Sequence, residues 1–270
     1  VKQLAEEKNF YVGVAVPHRS NDSKELDILE PERVETTIRA MVTEHFNSAT
    51  PENVLKWGPM LKDRKGAYDE YDFSDADYLM DLLADCGARV RGHTLVWGKF
   101  KNITYPNSIM DALKIAPDRS EKLKEINTER IEIIMGRYKD RVRVWDVVNE
   151  SMVYADEPIM DGIFWDEMGL DYIEHAFKVA HSVDPTAHLV MNETLGNLKG
   201  EKAKYFMRHL QTLLDKGTPI HGVGIQGHHF NAQIDLDGLL WYGDQLDKMG
   251  LKFELTEIDF GIQALRDNPD

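Results

Sequence analysis

Cysteine is almost absent from this chain of 270 residues, and its scarcity excludes two kinds of architecture. The one thiol, Cys86, cannot form an intrachain disulfide or a zinc site built from several cysteines. The chain also has no apolar run near the roughly 18–20 residues that a membrane-spanning helix needs. Its stability must therefore come from a packed core, and 42% hydrophobic residues are enough to form one.

Basic residues are in the minority. The sequence has 32 lysines and arginines against 47 aspartates and glutamates, a formal net charge of −15. This charge repels phosphate backbones and anionic lipids, so we expect no nucleic-acid partner and no membrane partner. Residues 1–9 are charged and helix-like, and we expect no signal peptide there. No repeat, low-complexity tract or linker-like segment divides the chain, which predicts one domain over residues 1–270.

Short β-branched runs alternate with helical patterns along the whole chain. Pro31 suits the first turn of a helix, and Gly87 and Gly250 suit helix ends. A strand followed by a helix at each step is typical of parallel strands joined by crossover helices. The predicted strands lie at 11–16, 45–50, 89–97, 143–149, 188–192, 222–228 and 253–259.

Seven such steps predict an α/β fold of the (β/α)8 TIM-barrel type. A doubly wound dinucleotide fold is disfavoured, because residues 11–17 lack the glycines of a phosphate-binding loop. Residues 261–270 are too few for a further helix and strand. We therefore expect a barrel truncated after its seventh strand, with the eighth strand missing and its place left open or taken by another element.

Two glutamates end predicted strands that face each other across such a barrel. Glu150 ends the fourth strand and Glu257 the seventh, and barrel active sites form at these strand ends. Paired carboxylates suit acetal hydrolysis, in which one protonates the departing oxygen and the other attacks or stabilises the oxocarbenium-like centre. The acid must keep its proton near neutral pH, which a less polar setting or a like-charged neighbour can arrange.

Other residues predicted at the same face have suitable chemistry for a sugar. Asn149 is suited to donate to a sugar 2-hydroxyl, and His228 to bond Glu257. Asp259 is suited to fix His228, because it lies two residues from Glu257 on the same strand face. The candidates for stacking on sugar rings or binding hydroxyls are Trp57, Trp97, Glu52, Asn53 and Lys56.

Each of these residues taken singly has a commoner explanation. A glutamate at a strand end is usually solvated, and a single histidine is more often packed in the structure. A single tryptophan, such as Trp57 or Trp97, is likewise more often a core residue. Glu254 has the opposite strand parity to Glu257, so we predict that it points out of the barrel.

Five segments form a pattern more specific than any single residue. They are FNSATPEN at 46–53 followed by Lys56 and Trp57, VRGHTLVW at 90–97, WDVVNE at 145–150, GVGIQGH at 222–228 and TEID at 256–259. Together and in this order they resemble glycoside hydrolase family 10, whose members are mostly endo-1,4-β-xylanases. The resemblance covers about residues 4–260.

The resemblance implies a (β/α)8 barrel and a retaining double displacement on xylan or xylo-oligosaccharides. It implies Glu150 as the acid/base and Glu257 as the nucleophile. It also implies secretion or a periplasmic location, with no metal and no cofactor in the chemistry. The sugar contacts that it implies are Glu52, Asn53 and Lys56 on the non-reducing side, and His93, Asn149, Gln226 and His228 around the cleaved residue.

The chain departs from the family pattern at three places. Gly98 and Phe100 stand where the family usually has histidine and glutamine, and residues 192–195 lack the tyrosine of an Asn-Asp-Tyr-Asn run. No tryptophan follows Asp259 to cover the cleaved sugar. These changes keep two alternatives open: a sugar-binding protein with little turnover, and a barrel glycosidase for another β-glycan. A metal hydrolase is disfavoured, because no His-Glu-x-x-His helix occurs.

Overall fold

The computed structural model describes residues 1–17, 31–229 and 234–260. Seven strands form one sheet that follows chain order, and every neighbouring pair is parallel. The elements are α1 (Lys2–Glu7), β1 (Gly13–Val16), α2 (Pro31–His45), β2 (Ser48–Pro51), α3 (Ser74–Asp85), β3 (Arg89–Val96), α4 (Asn107–Ile115), α5 (Arg119–Tyr138), β4 (Val142–Asn149), α6 (Ile163–Met168), α7 (Asp171–Val183), β5 (His188–Glu193), α8 (Glu201–Asp215), β6 (Gly222–Ile225), β7 (His228–His229), α9 (Leu236–Lys248), β8 (Lys252–Leu255) and β9 (Asp259–Phe260).

The seven predicted strands are confirmed, although two of them break into two pieces. The sixth ends at Ile225, and Gly227 then turns the chain with a φ of +77°, a conformation that favours glycine. The short strand β7 follows and pairs in parallel with β9, so that His228 lies opposite Asp259. This second, two-stranded sheet lies directly after the carboxyl ends of β6 and β8 in the chain.

The main sheet is strongly curled. In the sheet order, β3 and β8 are four positions apart, which is ~19 Å in a flat sheet. Yet the guanidinium of Arg91 on β3 bonds the carboxylates of both Asp146 on β4 and Glu254 on β8. Such contacts require the sheet to close around its inner face, as the predicted barrel does. Within the described ranges there is no eighth barrel strand, and residues 261–270 lie outside them.

The prediction for Glu254 is wrong. Its side chain points into the barrel, where it bonds Arg91 and lies 2.8 Å from Nε2 of His188. Strand β8 ends at Leu255, so strict alternation does not extend from Glu254 to Glu257 and the parity argument fails. Burial opposes ionisation of Glu254, but the contacts with His188 and Arg91 outweigh it and hold the pKa of Glu254 below its usual value.

Helix α3 buries one apolar face. In α3, the buried residues Ala76, Leu79, Met80 and Leu83 recur at the spacing of one helical face. The N-terminus of α5 is capped by Asp118, whose carboxylate accepts a hydrogen bond from the Glu121 amide at 3.0 Å. In the described part of the chain, no helix combines the length and the apolar character that crossing a membrane requires.

Strands β3 and β4 approach closely at Gly92. A Cβ atom added there would lie 2.2 Å from the Trp145 ring, and Trp145 is fully buried. We predict that Gly92→Ala lowers the free energy of unfolding by about 1–3 kcal/mol, because Trp145 has no room to move away. Urea unfolding monitored by tryptophan fluorescence measures the change.

Gly136 in α5 provides the matched control. Apart from the backbone of its own helix, a Cβ atom at Gly136 would meet no heavy atom within 4 Å. Alanine is the better helix former, so Gly136→Ala is expected to stabilise the fold by up to ~1 kcal/mol. Equal stability changes in the two variants would contradict the close packing at Gly92.

Candidate active site

Glu150 follows the last residue of β4, and both oxygens of its carboxyl group accept hydrogen bonds. Its Oε1 accepts a hydrogen bond from the Gln226 amide at 2.8 Å. Its Oε2 accepts one from the Trp97 indole at 2.9 Å and another from the Tyr154 hydroxyl. The backbone of Glu150 has a φ of +51°, which side-chain-bearing residues rarely adopt, and its N–H donates to the Asn192 carbonyl at 2.9 Å. The glutamate is thus held at the sheet end in an unusual conformation.

Glu257 lies just beyond β8 and is more open. Its Oε1 accepts a hydrogen bond from the Asn192 side-chain amide at 2.8 Å, and its Oε2 lies 3.4 Å from Nε2 of His228. Nδ1 of His228 lies 2.8 Å from the carboxylate of Asp259. The structure thus contains both contacts expected of His228. They arise from the pairing of β7 with β9 and not from one continuous seventh strand.

The two glutamates share hydrogen-bonding partners. The backbone carbonyl of Gln226 accepts the N–H of Glu257 at 2.8 Å, while the side chain of Gln226 donates to Glu150. Asn192 links the same two residues, because its carbonyl binds the Glu150 amide and its side chain binds Glu257. Both carboxyl groups therefore belong to one polar network at the carboxyl ends of the strands.

Asn149 adds an unused donor to this network. Its Oδ1 accepts a hydrogen bond from Asn192 at 2.8 Å. Its Nδ2 is buried and has no hydrogen-bond partner in the described structure. Buried amide groups are rarely left unpaired, so this NH2 group is a candidate donor to a ligand at the strand ends.

His93 lies within β3, and Trp97 directly follows the last residue of that strand. Nδ1 of His93 lies 2.9 Å from the carboxylate of Asp146, so this histidine is fixed to the floor of the barrel. Trp97 is half-buried, and the ammonium group of Lys56 lies 5.3 Å from its ring centroid. Lys56 also donates to the side chain of Asn53 at 2.7 Å. The loop after β2, in which Glu52 is exposed, therefore adjoins the wall of the site.

Trp57 does not belong to the site, and its predicted role in stacking on sugars is wrong. Its side chain is 1% exposed. Its indole N–H donates to the Tyr68 carbonyl at 2.9 Å, and the Arg130 guanidinium lies 4.6 Å from its ring. The indole thus packs in the core toward α5, while the neighbouring Lys56 faces Trp97.

Three residues of the site had no role in the sequence-based prediction. Asn192 and Glu193 end β5, and that strand-end position was their only signal in the sequence. Tyr154 lies in the loop after β4 and has no local signal. Glu193 is fully buried, and burial raises its pKa to about 7 against the opposing hydrogen bonds from the Thr194 amide and the Ser151 hydroxyl.

Packing beside Trp97 explains why glycine stands at position 98, where the family usually has histidine. A Cβ atom on Gly98 would lie 2.8 Å from the Phe164 ring, so the loop has no room for a larger residue. Phe100, two residues further on, packs edge-to-face on Trp97 with 5.4 Å between ring centroids.

Across the described ranges, no three His, Cys, Asp or Glu side chains are grouped so as to hold a metal ion.

Comparison with known sequences gives a consistent result. The family model described as "Glycosyl hydrolase family 10" matches residues 1–268. The beta-1,4-xylanase of Dictyoglomus thermophilum is 34% identical over 258 residues, which are 94% of this chain and 64% of that protein. Endo-1,4-beta-xylanase B of Paenibacillus barcinonensis is 33% identical over 224 residues, 82% of this chain and 64% of that protein. The chain thus spans about 64% of the length of these relatives.

Solved structures show the same similarity in three dimensions. Native xylanase 10B from Thermotoga maritima aligns with a TM-score of 0.80 and 27% identity, covering 96% of this chain and 73% of that one. Xylanase 10B from Thermotoga petrophila in complex with xylobiose gives a TM-score of 0.80 and 27% identity over 96% and 72% of the two chains. With a family model matched along nearly its whole length and solved relatives of the same fold, the chain belongs to glycosyl hydrolase family 10.

Proposed function

We propose that this chain is the catalytic domain of a retaining endo-β-1,4-xylanase that cleaves internal bonds of xylan and xylo-oligosaccharides. The observation that carries the proposal is that Gln226, at the strand ends, forms hydrogen bonds with both Glu150 and Glu257. The relatives support the substrate class, since they are named xylanases and one solved neighbour holds xylobiose. We further propose that the protein acts outside the cytoplasm, as polymeric xylan requires.

The proposed reaction begins with the ionised Glu257. Its carboxylate oxygen attacks the anomeric carbon and forms a glycosyl ester, while the bond from that carbon to the glycosidic oxygen breaks. Glu150 donates its proton to the departing oxygen, which leaves as a hydroxyl group. Asn192 and His228 contact the two oxygens of Glu257 and keep the attacking carboxylate in one orientation.

The second displacement regenerates the enzyme. Glu150, now ionised, takes a proton from a water molecule as that water attacks the anomeric carbon. The ester bond to Glu257 breaks, and the sugar leaves with the configuration that it had in the polymer. These steps use only protein side chains and water.

Asn149 is proposed to contact the sugar next to the bond that is cleaved. Its unpaired, buried Nδ2 lies beside Asn192, which itself binds Glu257. A donor at this place suits the 2-hydroxyl of the sugar attacked by Glu257, a contact that strengthens in the transition state. The other proposed sugar contacts are Glu52, Asn53 and Lys56 on the non-reducing side and His93, Trp97, Gln226 and His228 around the cleaved residue.

We predict that Glu257→Ala lowers the rate of reducing-sugar release from xylan by at least ~10⁴-fold, because no ester intermediate can form. Glu201→Ala, which removes an exposed glutamate at the start of α8, is the matched control and should keep full activity. A fully active Glu257→Ala variant would refute the nucleophile. If the unsubstituted protein binds xylo-oligosaccharides without cleaving them, the result would support a sugar-binding protein with little turnover. Activity assays on a panel of other β-glycans test the alternative of a glycosidase for another substrate.

Glu150→Ala should separate substrates by their leaving groups. For xylotetraose, kcat/KM is expected to fall by roughly 10²–10⁴-fold, because a sugar alkoxide needs a proton to depart. For a dinitrophenyl β-xylobioside, kcat/KM should fall far less, because the phenolate leaves without that proton. Steady-state kinetics on the two substrates give the comparison, and equal losses on both would contradict the acid/base role.

A further inference from the structure

The loop after Glu150 forms a small hairpin that is fixed at its base. Met152 and Met160 pair in an antiparallel bridge. The carboxylate of the buried Glu193 accepts hydrogen bonds from the Ser151 hydroxyl at 2.9 Å and from the Met152 amide at 3.2 Å. The ammonium group of Lys99 bonds the Met152 carbonyl from the other side. The start of this hairpin is therefore held by two buried ionisable side chains, Glu193 from β5 and Lys99 from the loop after β3.

Tyr154 lies two residues beyond this anchored base. Its hydroxyl bonds Oε2 of Glu150. Its ring stacks on Phe100 with 6.0 Å between centroids and 22° between ring planes, and the Lys99 ammonium group lies 4.1 Å from the ring centroid. Tyr154 as a whole is nevertheless 50% exposed, so it forms part of the open surface beside Glu150.

The chemistry of the three groups around Glu150 differs. The indole N–H of Trp97 and the amide N–H of Gln226 can only donate, which suits the ionised carboxylate. The hydroxyl of Tyr154 can donate to a carboxylate and can equally accept from a carboxylic acid. Burial, and then the bond to Glu150, raise the pKa of Tyr154, so the phenol stays protonated near neutral pH.

A double displacement needs Glu150 in both forms, first as the acid and then as the base. We infer that Tyr154 is a positioning residue for Glu150, one that keeps this carboxyl in a single orientation whether it is protonated or ionised. The inference rests on the proposed function, and it gives a role to the anchored hairpin and to Glu193. When the substrate binds, the Glu150 proton is directed to the glycosidic oxygen, and the Tyr154 hydroxyl then donates to the same carboxyl oxygen, Oε2.

Tyr154→Phe tests the inference, because it removes the hydroxyl and keeps the ring on Phe100. We expect kcat/KM for xylotetraose to fall about tenfold, since the acid is less well placed. For dinitrophenyl β-xylobioside, kcat/KM should stay within about twofold, because that leaving group needs no proton. Tyr78→Phe is the matched control, since the Tyr78 hydroxyl also donates to a glutamate, Glu35, at 2.5 Å on the exposed surface. It should change neither value.

Each result has one meaning. Two results would overturn the positioning role and leave the proposed function intact, provided that Tyr154→Phe has the same unfolding temperature as the unsubstituted protein. They are equal losses of kcat/KM on both substrates, and no loss on xylotetraose. An unfolded Tyr154→Phe protein would also overturn it, because the hydroxyl would then serve the fold. A native protein that cleaves neither substrate refutes the proposed function itself, and the inference with it.

Discussion

The site depends on one residue, Gln226, that binds both glutamates. Its backbone carbonyl accepts the N–H of Glu257, and its side-chain amide donates to Glu150. Gln226 follows β6 directly, next to the strand that leads to Glu257 and two strands from the one that leads to Glu150. The parallel order of the strands places these three strand ends on one edge of the sheet. The candidate site therefore depends on the fold as much as on the glutamates themselves.

A buried ionic network supports this arrangement from below. Arg91 joins Asp146 and Glu254 across the barrel interior, and Asp146 also contacts His93 in the layer of the site. Burial opposes the ionisation of Asp146, but Arg91 and His93 outweigh it and hold the pKa of Asp146 below its usual value. Buried charges are costly unless each has a partner, and here every member of the network has one. The network thus fixes how β3, β4 and β8 face each other, and with them the strand ends above.

The sequence predicts those features that follow from local pattern. The strands and the two glutamates at their ends were predicted because apolar periodicity and strand-end position are local properties. Glu254 and Trp57 were predicted wrongly, because their directions depend on where β8 ends and on how the turn after β2 packs against Arg130. Tyr154 was not predicted, since its place depends on a hairpin held by contacts with Glu193 and Lys99, which are distant in the chain. Long-range contacts of this kind leave no mark on the local sequence.

The central claim is that Glu257 becomes covalently bound to the sugar while Glu150 moves the proton. The most direct measurement is mass spectrometry of the protein after incubation with a 2-deoxy-2-fluoro-β-xylobioside that carries an activated leaving group. The leaving group allows the ester to form, and the fluorine slows its breakdown. The account predicts one fluoroxylobiosyl group per chain, found by peptide mapping on Glu257. A label on any other residue, or complete turnover of the natural substrate with inversion at the anomeric carbon, would contradict it.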